Sequence, residues 1–161
     1  MDKINESNVP SEHRISPKGS FEAHRKHISV TMRGGKSYHT GPWEGGPPFD
    51  VELTRLPVGK KNYPYHSHAS VWEYYIFLAG TGRFRDENNA WHPIRPGDHF
   101  QFACGQAHQI ENDGEEDLVF YVIANNTDVE IAQYPDSGKV LFLPDRKLGY
   151  LNPAEYFDKE E

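Results

Sequence analysis

The sequence predicts an all-β fold, an antiparallel sandwich or barrel, and three observations support this prediction. From Asp50 onward, short runs of β-branched and aromatic residues recur at intervals of about ten residues. Turn-forming clusters separate these runs, notably Asp86–Asn89, Pro96–Asp98 and Asn112–Gly114. The intervals are also too short for the amphipathic crossover helices that a parallel sheet requires. We therefore expect antiparallel strands joined by short turns.

The individual strands follow from these runs in chain order. Each run combines strand-forming residues with a turn signal at one or both ends. The predicted strands are HISVTM (27–32), DVELTRL (50–56), VWEYYIFLAG (71–80), GRFRD (82–86), DHFQFA (98–103), HQIEN (108–112), DLVFYVIAN (117–125), VEIAQY (129–134) and KVLFLP (139–144). The glycine- and proline-rich segment 34–49 is predicted to be a loop.

Outside these strands the chain carries two terminal features. Residues 1–18 are polar, contain Pro10 and Pro17 and show no periodicity, so we predict a flexible N-terminal arm. Residues 19–161 then form a single domain, with the core of the barrel at about 49–126. At the other end, Asn152 followed by Pro153 is a typical cap and first position of one short C-terminal helix.

Composition excludes several classes of protein. The 161 residues are 36 % hydrophobic, which suits one domain with room for a small cavity. Seventeen basic residues are scattered among 24 acidic ones, and the net charge of -7 argues against a nucleic-acid partner. No apolar run is long enough for a membrane span, and the N-terminus lacks the apolar segment of a secretory signal, so a cytoplasmic location is expected. The single cysteine, Cys104, cannot form an internal disulfide.

Four polar side chains stand out against this apolar pattern. His66 and His68 lie two apart and therefore share one face of a strand, while Glu73 begins a strongly apolar run with no basic neighbour. His108 begins a later strand, after a glycine turn. Three imidazoles and one carboxylate are a suitable ligand set for a divalent first-row metal, and a metal would offset the cost of burying the carboxylate. Taken singly, the histidines can equally be solvated strand or loop residues.

The spacing of these residues resembles the two motifs of the cupin superfamily. The first runs from Gly59 through His66, His68 and Glu73 to Gly80. The second runs from Gly97 through Gly105 and His108 to Asn112, with Ala103 where the family usually has proline. The resemblance covers about residues 59–112 and implies a small double-stranded β-helix (jelly-roll) barrel. It also implies one metal ion held by His66, His68, Glu73 and His108, and commonly a homodimer.

The number of ligands limits the chemistry that the implied centre can support. Four protein ligands saturate a tetrahedral zinc ion, whereas an octahedral ion such as Fe(II), Mn(II), Ni(II) or Co(II) keeps two positions open. Two open positions suit a small-molecule substrate that chelates through adjacent oxygens, such as an enediol, a hydroxyketone or an α-keto acid. Glu73, if loosely bound, is a candidate catalytic base.

Other residues are candidates for the pocket or the surface. Aromatic side chains and one arginine on the strands are candidate substrate-pocket residues, although aromatic residues alternating on strands are more often core filling: Tyr75, Phe77, Phe100, Phe102 and Arg83. His39, His92 and His99 are expected at the surface or in hydrogen bonds. Cys104 lies four residues before His108, but no third group is evident to orient a Cys–His nucleophile.

Three functions remain open from the sequence. The first is a metal-dependent enzyme that acts on a small oxygenated metabolite, with dioxygenase chemistry slightly favoured. The second is a sugar or sugar-phosphate isomerase or epimerase, which needs no oxygen. The third is a module that binds metal and a small ligand without turnover. A cupin fold supports many unrelated reactions, so the choice depends on the site itself.

Overall fold

The computed structural model describes residues 1–34 and 47–160. Its strands in chain order are β1 Glu12–Ile15, β2 Glu22–His27, β3 Phe49–Leu56, β4 Ser67–His68, β5 Glu73–Ala79, β6 Gly82–Arg85, β7 Trp91–Ile94, β8 His99–Phe102, β9 Gln109–Glu111, β10 Leu118–Asn125, β11 Glu130–Tyr134, β12 Lys139–Leu143 and β13 Lys147–Tyr150. A 3-10 turn at Glu6–Asn8 and a short helix, α1 at Ile28–Met32, complete the regular structure of the described residues. In that part of the chain, no helix has the length and apolar character of a membrane span.

The strands form antiparallel sheets that enclose one interior. Within the described residues, the large sheet has the order β1-β2-β3-β10-β5-β8, a second sheet has the order β13-β12-β11-β4, and a third has the order β7-β6-β9. Strands distant in sequence are neighbours in space, as when β10 lies between β3 and β5. This arrangement is a double-stranded β-helix, as the sequence predicted.

The register of β3, β10 and β5 divides the inner face of the large sheet into rows. The innermost row consists of Thr54, Phe120 and Phe77, all almost fully buried. The next row consists of Glu52, Val122 and Tyr75, and the outermost of Asp50, Ala124 and Glu73. Side chains on one face of a strand are two residues apart, so the same face changes from apolar to acidic along the strands.

The hydrophobic core lies at the apolar end of these rows. Phe77 and Phe120 contact with ring centroids 5.1 Å apart, and Tyr75 and Phe102 pack edge to face at 5.5 Å. Leu56, Ile94, Ile110 and Leu118 complete the buried cluster. Aromatic pairs at these separations add to the stabilisation from burial alone. This core packs against the polar end of the barrel.

A glycine keeps β5 close to its neighbour at the bottom of the barrel. Gly80 ends the β5 segment with a φ of +74°, a conformation that favours glycine. A Cβ placed there would lie 2.3 Å from the carbonyl oxygen of Asp117. Glycine is therefore required at this position by both backbone conformation and space.

Three sequence-based predictions differ from the structure. HISVTM was predicted as a strand, but Ile28–Met32 is helix α1. The Ser29 hydroxyl accepts the Val51 N–H at 3.1 Å, and the Thr31 hydroxyl donates to the His27 carbonyl at 2.8 Å. The Thr31 contact satisfies the backbone within the helix and the Ser29 contact joins the helix to β3, so together they override the strand preference of β-branched residues.

The termini account for the other two differences. The predicted arm over residues 1–18 contains strand β1, which pairs with β2, so Glu12–Ile15 belongs to the large sheet; the flexibility of the rest of the arm stays a prediction. The predicted C-terminal helix is absent from the described residues, where β13 is followed by turns at 156–160. Most of the predicted loop 34–49, including His39, lies outside the described residues.

Candidate metal centre and its cavity

The backbone brings His66 and His108 together directly. The His66 N–H donates to the His108 carbonyl at 3.1 Å, and the His108 N–H donates to the His66 carbonyl at 2.8 Å. Directly opposed residues of an antiparallel pair place their side chains on the same side. The two imidazole rings accordingly lie with their centroids 4.8 Å apart.

His68 and Glu73 complete the group. His68 lies two residues beyond His66 on β4, and the centroids of their rings are 4.9 Å apart. The ligand atoms of His66, His68 and Glu73 all lie within 4.8 Å of one another. The Glu73 carboxylate Oε2 is 2.8 Å from His108 Nε2, and its Oε1 is 3.7 Å from His68 Nε2. The structure therefore places all four predicted ligands around one point, with His108 farther from His68 than from His66.

Backbone carbonyls orient two of the imidazole rings. Nδ1 of His66 lies 2.8 Å from the Pro64 carbonyl oxygen, and Nδ1 of His108 lies 3.2 Å from that of Gln106. A carbonyl can only accept, so Nδ1 of each ring carries a proton; Nε2 of His66 then keeps its lone pair for a ligand, whereas Nε2 of His108 faces the Glu73 carboxylate. Metal-ligating histidines in proteins are usually held by a contact of this kind at the second ring nitrogen.

Glu130 orients the ring of His68, as the backbone carbonyls orient the rings of His66 and His108. His68 Nδ1 lies 3.3 Å from Glu130 Oε1, although the alignment falls short of a regular hydrogen bond. Glu130 is only 3 % exposed, and its carboxylate accepts the N–H groups of Ala69 and Ser70 at 2.8 and 3.0 Å. It also accepts the Ser70 hydroxyl at 2.8 Å. Glu130 is therefore fixed in place and can hold the ring of His68.

The donors at this point fit a divalent metal. Nε2 of His68 is buried and has no hydrogen-bond partner among the described residues, an arrangement that is costly for a polar atom unless a ligand compensates it. Three imidazole nitrogens and one carboxylate are nitrogen and oxygen donors of the kind that bind Fe, Mn, Ni, Co or Zn. The residues that would hold such an ion are His66, His68, Glu73 and His108.

Electrostatics at the centre also favour a bound cation. Burial, together with the neighbouring His108 and His68, lowers the pKa of His66 to about 3. Burial alone would raise the pKa of Glu73, but His68 and His108 outweigh it and lower that pKa. His66 is thus neutral and Glu73 is ionised at neutral pH, which are the protonation states that a metal requires.

The low pKa of His66 predicts a pH dependence of stability in the metal-free protein. When the pKa of a histidine is lower in the folded than in the unfolded state, the folded protein loses stability as the pH falls below the unfolded pKa of 6.5. We expect the His66 contribution to fall by about 2 kcal/mol between pH 6.5 and pH 5. Urea unfolding of wild type and His66→Gln at both pH values measures this contribution. An equal pH slope in the two proteins would contradict the prediction.

The centre opens into a cavity of about 290 Å³. The apolar wall belongs mainly to β11 and β12 of the second sheet, and the charged wall belongs to β2 and β3 of the large sheet, where β10 adds Val122 and Ala124. The lining residues are Arg25, His27, Asp50, Glu52, Tyr63, His66, His68, Glu73, Tyr75, Val122, Ala124, Glu130, Ala132, Tyr134, Leu141 and Leu143. A cavity of this size suits a small metabolite.

Of the five predicted pocket residues, Tyr75 alone lies in the wall of this cavity. Phe77 and Phe102 belong to the buried core, and Phe100 packs against it. Phe102 also stacks on His108 with ring centroids 4.0 Å apart, so it helps to fix the orientation of this candidate ligand. Arg83 lies on β6, where its guanidinium pairs with Glu111 at 3.1 Å. None of these four residues lies in the wall of this cavity, and strand alternation in the sequence does not distinguish core from cavity wall.

Several cavity residues were not found from the sequence. No motif surrounds the four residues Glu52, Glu130, Arg25 and His27, which lie on strands of five to eight residues. Only the alternation of β2, in which every second side chain is buried, marks Arg25 and His27 as inward-facing. The polar composition of β2 makes this alternation difficult to recognise in the sequence.

The remaining predicted histidines and the cysteine lie away from the centre. His92 Nε2 contacts Asp86 at 2.7 Å, and the ring of His99 is hydrogen-bonded to the Tyr74 hydroxyl at 3.1 Å. Cys104 is exposed. These positions agree with surface and hydrogen-bonding roles, and nothing in the described contacts activates the thiol.

A second group of possible ligands lies on the β1–β2 hairpin. It consists of His13, Glu22 and His24, with the two imidazole rings stacked 4.3 Å apart. The Lys60 ammonium lies 3.2 Å from the Glu22 carboxylate. Because this fixed positive charge already compensates the carboxylate, the hairpin is a poorer cation site than the cavity.

Comparison with known proteins supports the architecture. The family model of the cupin domain matches residues 52–124. A crystal structure from Acidithiobacillus ferrooxidans, provisionally called a sugar phosphate isomerase, is 26 % identical and superimposes with a TM-score of 0.75 over 92 % of each chain. A predicted oxalate decarboxylase from Thermotoga maritima is also 26 % identical, with a TM-score of 0.60 over 78 % of this chain and 99 % of that one.

A curated relative adds a more local similarity. The oxalate-binding protein of Thermotoga maritima is 38 % identical over 69 residues, which are 43 % of this chain and 55 % of that protein. The matched segment therefore spans about half the length of this relative. The cupin-domain match covers the strands that carry His66, His68, Glu73 and His108. The family-model match identifies residues 52–124 as a cupin domain, in agreement with the double-stranded β-helix and the motif spacing.

Proposed function

We propose that this protein is a metal-dependent enzyme that isomerises a compact hydroxy-carbonyl compound. The observation that supports it best is the convergence of three imidazole Nε2 atoms and the Glu73 carboxylate at one end of a small cavity. Four protein ligands leave two positions on an octahedral ion, which suit the adjacent oxygens of such a substrate. When bound, the ion would polarise the substrate carbonyl as a Lewis acid.

The cavity walls assign roles to the chain's own residues. Val122, Ala132, Leu141 and Leu143 form an apolar side that can exclude water from the bound substrate. The Tyr75 hydroxyl donates to Glu73 Oε2 at 2.9 Å and holds that carboxylate in one orientation. The charged wall opposite supplies the polar groups that can contact the substrate. Binding and orientation in a small, partly apolar cavity are typical of metabolite enzymes.

Isomerisation is favoured over oxygen chemistry by one comparison. The ligand set alone slightly favoured a dioxygenase, because iron, manganese and nickel support both kinds of reaction. The Acidithiobacillus ferrooxidans structure provisionally called a sugar phosphate isomerase matches nearly the whole chain. An isomerase also requires a group that moves a proton, and the charged wall contains carboxyl groups. Dioxygenase activity stays a prediction that oxygen uptake can test.

Binding without turnover is the second candidate. It is supported by the 38 % identity with the oxalate-binding protein of Thermotoga maritima. Oxalate presents two adjacent carboxylate oxygens, so it would occupy the same two metal positions as a hydroxy-carbonyl compound. A protein of this kind would bind oxalate only in the metal-loaded form and would convert no hydroxy-carbonyl compound. The homodimer implied by the family resemblance also stays a prediction.

The test is turnover without oxygen. The metal-free protein is loaded in turn with Fe(II), Mn(II), Ni(II), Co(II) and Zn(II), then incubated under nitrogen in D2O with hydroxy-aldehydes, hydroxy-ketones and their phosphates. Proton NMR is expected to show product that carries deuterium at the carbon next to the carbonyl, and a chelator is expected to abolish it. His99→Ala is the control, because it removes an imidazole outside the cavity. Two results would contradict isomerisation. One is oxygen uptake without deuterated product for any metal, and the other is oxalate binding without deuterated product for any metal.

A further inference from the structure

Glu52 is a buried carboxylic acid that the metal centre does not use. It lies on β3, in the same row as Val122 and Tyr75, and lines the cavity that also contains Glu73. Neighbouring strands lie about 4.8 Å apart, so the Glu52 and Tyr75 backbones are separated by roughly 10 Å. Both side chains project from the same inner face of the large sheet, with Val122 of β10 between them. A small molecule bound at the metal end would therefore fill the space in front of Glu52.

The side chain of Glu52 is held by groups on two strands. The Thr54 hydroxyl donates to its Oε1 at 2.6 Å. Its Oε2 lies 3.4 Å from Arg25 Nη1 and 3.4 Å from His27 Nδ1. Asp50 lies two residues away on the same strand face. These contacts orient the carboxyl group toward the cavity while leaving it free of a close bidentate ion pair.

Arg25 and His27 are themselves shared with another acid. Glu12 Oε2 on β1 lies 2.5 Å from Arg25 Nη2 and 3.0 Å from His27 Nε2. The positive charge near Glu52 is thus largely balanced by Glu12. Burial raises the pKa of Glu52, and Arg25 and His27 offset this only in part. A raised pKa makes a carboxylate a stronger base.

Glu73 is less suited to the same task. Its Oε2 accepts the Tyr75 hydroxyl at 2.9 Å and lies 2.8 Å from His108 Nε2, and its other oxygen faces His68. Both oxygens are therefore engaged within the metal centre. Glu52 lines the same cavity from β3, where Thr54, Arg25 and His27 contact its oxygens and none of the candidate ligands does.

We propose that Glu52 is the catalytic residue that carries the proton between adjacent carbons of the substrate. This proposal rests on the isomerase function and names its acid–base group. The Glu52 carboxylate takes the proton from the hydroxyl-bearing carbon, and the C–H electron pair forms the C=C bond of an enediol. The carbonyl π electrons move to their oxygen, which receives the proton of the substrate hydroxyl. Glu52 then returns its proton to the former carbonyl carbon, so no oxidant is needed.

The first test is Glu52→Gln, which keeps the shape of the side chain but cannot carry the proton. We expect kcat and the incorporation of solvent deuterium to fall by about 100-fold or more, with metal content unchanged. Glu116→Gln, an exposed matched control, is expected to leave both unchanged. If Glu52→Gln does not retain one metal per chain, Glu52→Asp is tested instead. Its kcat is expected to fall by about 10-fold or more, because the shorter side chain moves the carboxyl group away from the substrate.

The second test measures binding rather than turnover. Acetohydroxamate must release a proton to chelate a metal, whereas oxalate at neutral pH has none to release. We therefore expect Glu52→Gln to weaken acetohydroxamate binding by about 10-fold while leaving oxalate binding within about 3-fold. A purely structural role would affect both ligands alike.

The outcomes separate this proposal from the function on which it rests. A wild-type protein that isomerises substrates and a Glu52→Gln protein that does so equally well would overturn the role of Glu52 alone. A wild-type protein without isomerase activity would overturn both proposals. Equal weakening of the two chelators would likewise reject acid–base chemistry at Glu52.

Discussion

Replacing His108 with alanine is expected to lower metal affinity by more than about 100-fold, because even residues that only orient a ligand are worth 10–100-fold. His108 is buried and lies against both His66 and Glu73. Its loss removes one of the four donors and leaves the Glu73 carboxylate with fewer partners. Competition with a coloured chelator measures the affinity, and elemental analysis measures the metal retained per chain.

His99→Ala is the matched control for this experiment. His99 lies on the large sheet and contacts the Tyr74 hydroxyl outside the cavity, so its loss should leave metal binding unchanged. Circular dichroism of both variants checks that the barrel is retained. Equal metal affinity in wild type and His108→Ala would show that His108 is not a ligand.

Replacing Phe120 with alanine is expected to lower the free energy of unfolding by about 3–5 kcal/mol. Phe120 is 0 % exposed and lies between Thr54 and Phe77 in the innermost row. Its ring contacts Phe77 and Tyr75, with centroids 5.1 and 5.8 Å away. The surrounding strands are hydrogen-bonded on both sides, so they cannot close the resulting cavity. Urea unfolding of the metal-free protein measures the change.

The control for this substitution is Phe142→Ala on β12. Phe142 is 37 % exposed, so the same truncation should cost no more than about 1 kcal/mol. A similar loss in both variants would indicate that the row of Thr54, Phe120 and Phe77 is not the centre of the core. A large loss confined to Phe120→Ala would agree with the described packing.

Much of the fold could be predicted from the sequence because its strands are apolar and separated by strong turn signals. Strands β5, β6, β8, β9, β10, β11 and β12 all lie within predicted segments, and β3 begins one residue before its predicted segment. The missed strands carry other patterns. β2 alternates charged residues that are buried only because Glu12 and Glu52 neutralise them, and β7 contains Pro93, which disfavours a strand. Such compensation depends on residues distant in the chain.

The candidate site also contains some residues that could be predicted from the sequence and others that could not. The spacing of His66, His68 and Glu73 follows from strand geometry, so these ligands could be placed from a short segment. Glu52 and Glu130 could not, because no motif surrounds either acid. Their positions in the cavity depend on β3 pairing with β10, and on β11 pairing with β4. Pairings between distant segments have no local signature in a single sequence.

The most direct test of the metal centre is X-ray absorption spectroscopy of the protein loaded with one manganese or iron ion per chain. Imidazole rings scatter in a recognisable way, so the spectrum counts the histidine ligands. We predict three imidazole nitrogens together with oxygen ligands in a six-coordinate ion, and two imidazoles in His68→Ala. A spectrum with one imidazole or none would show that His66, His68, Glu73 and His108 do not bind a common ion.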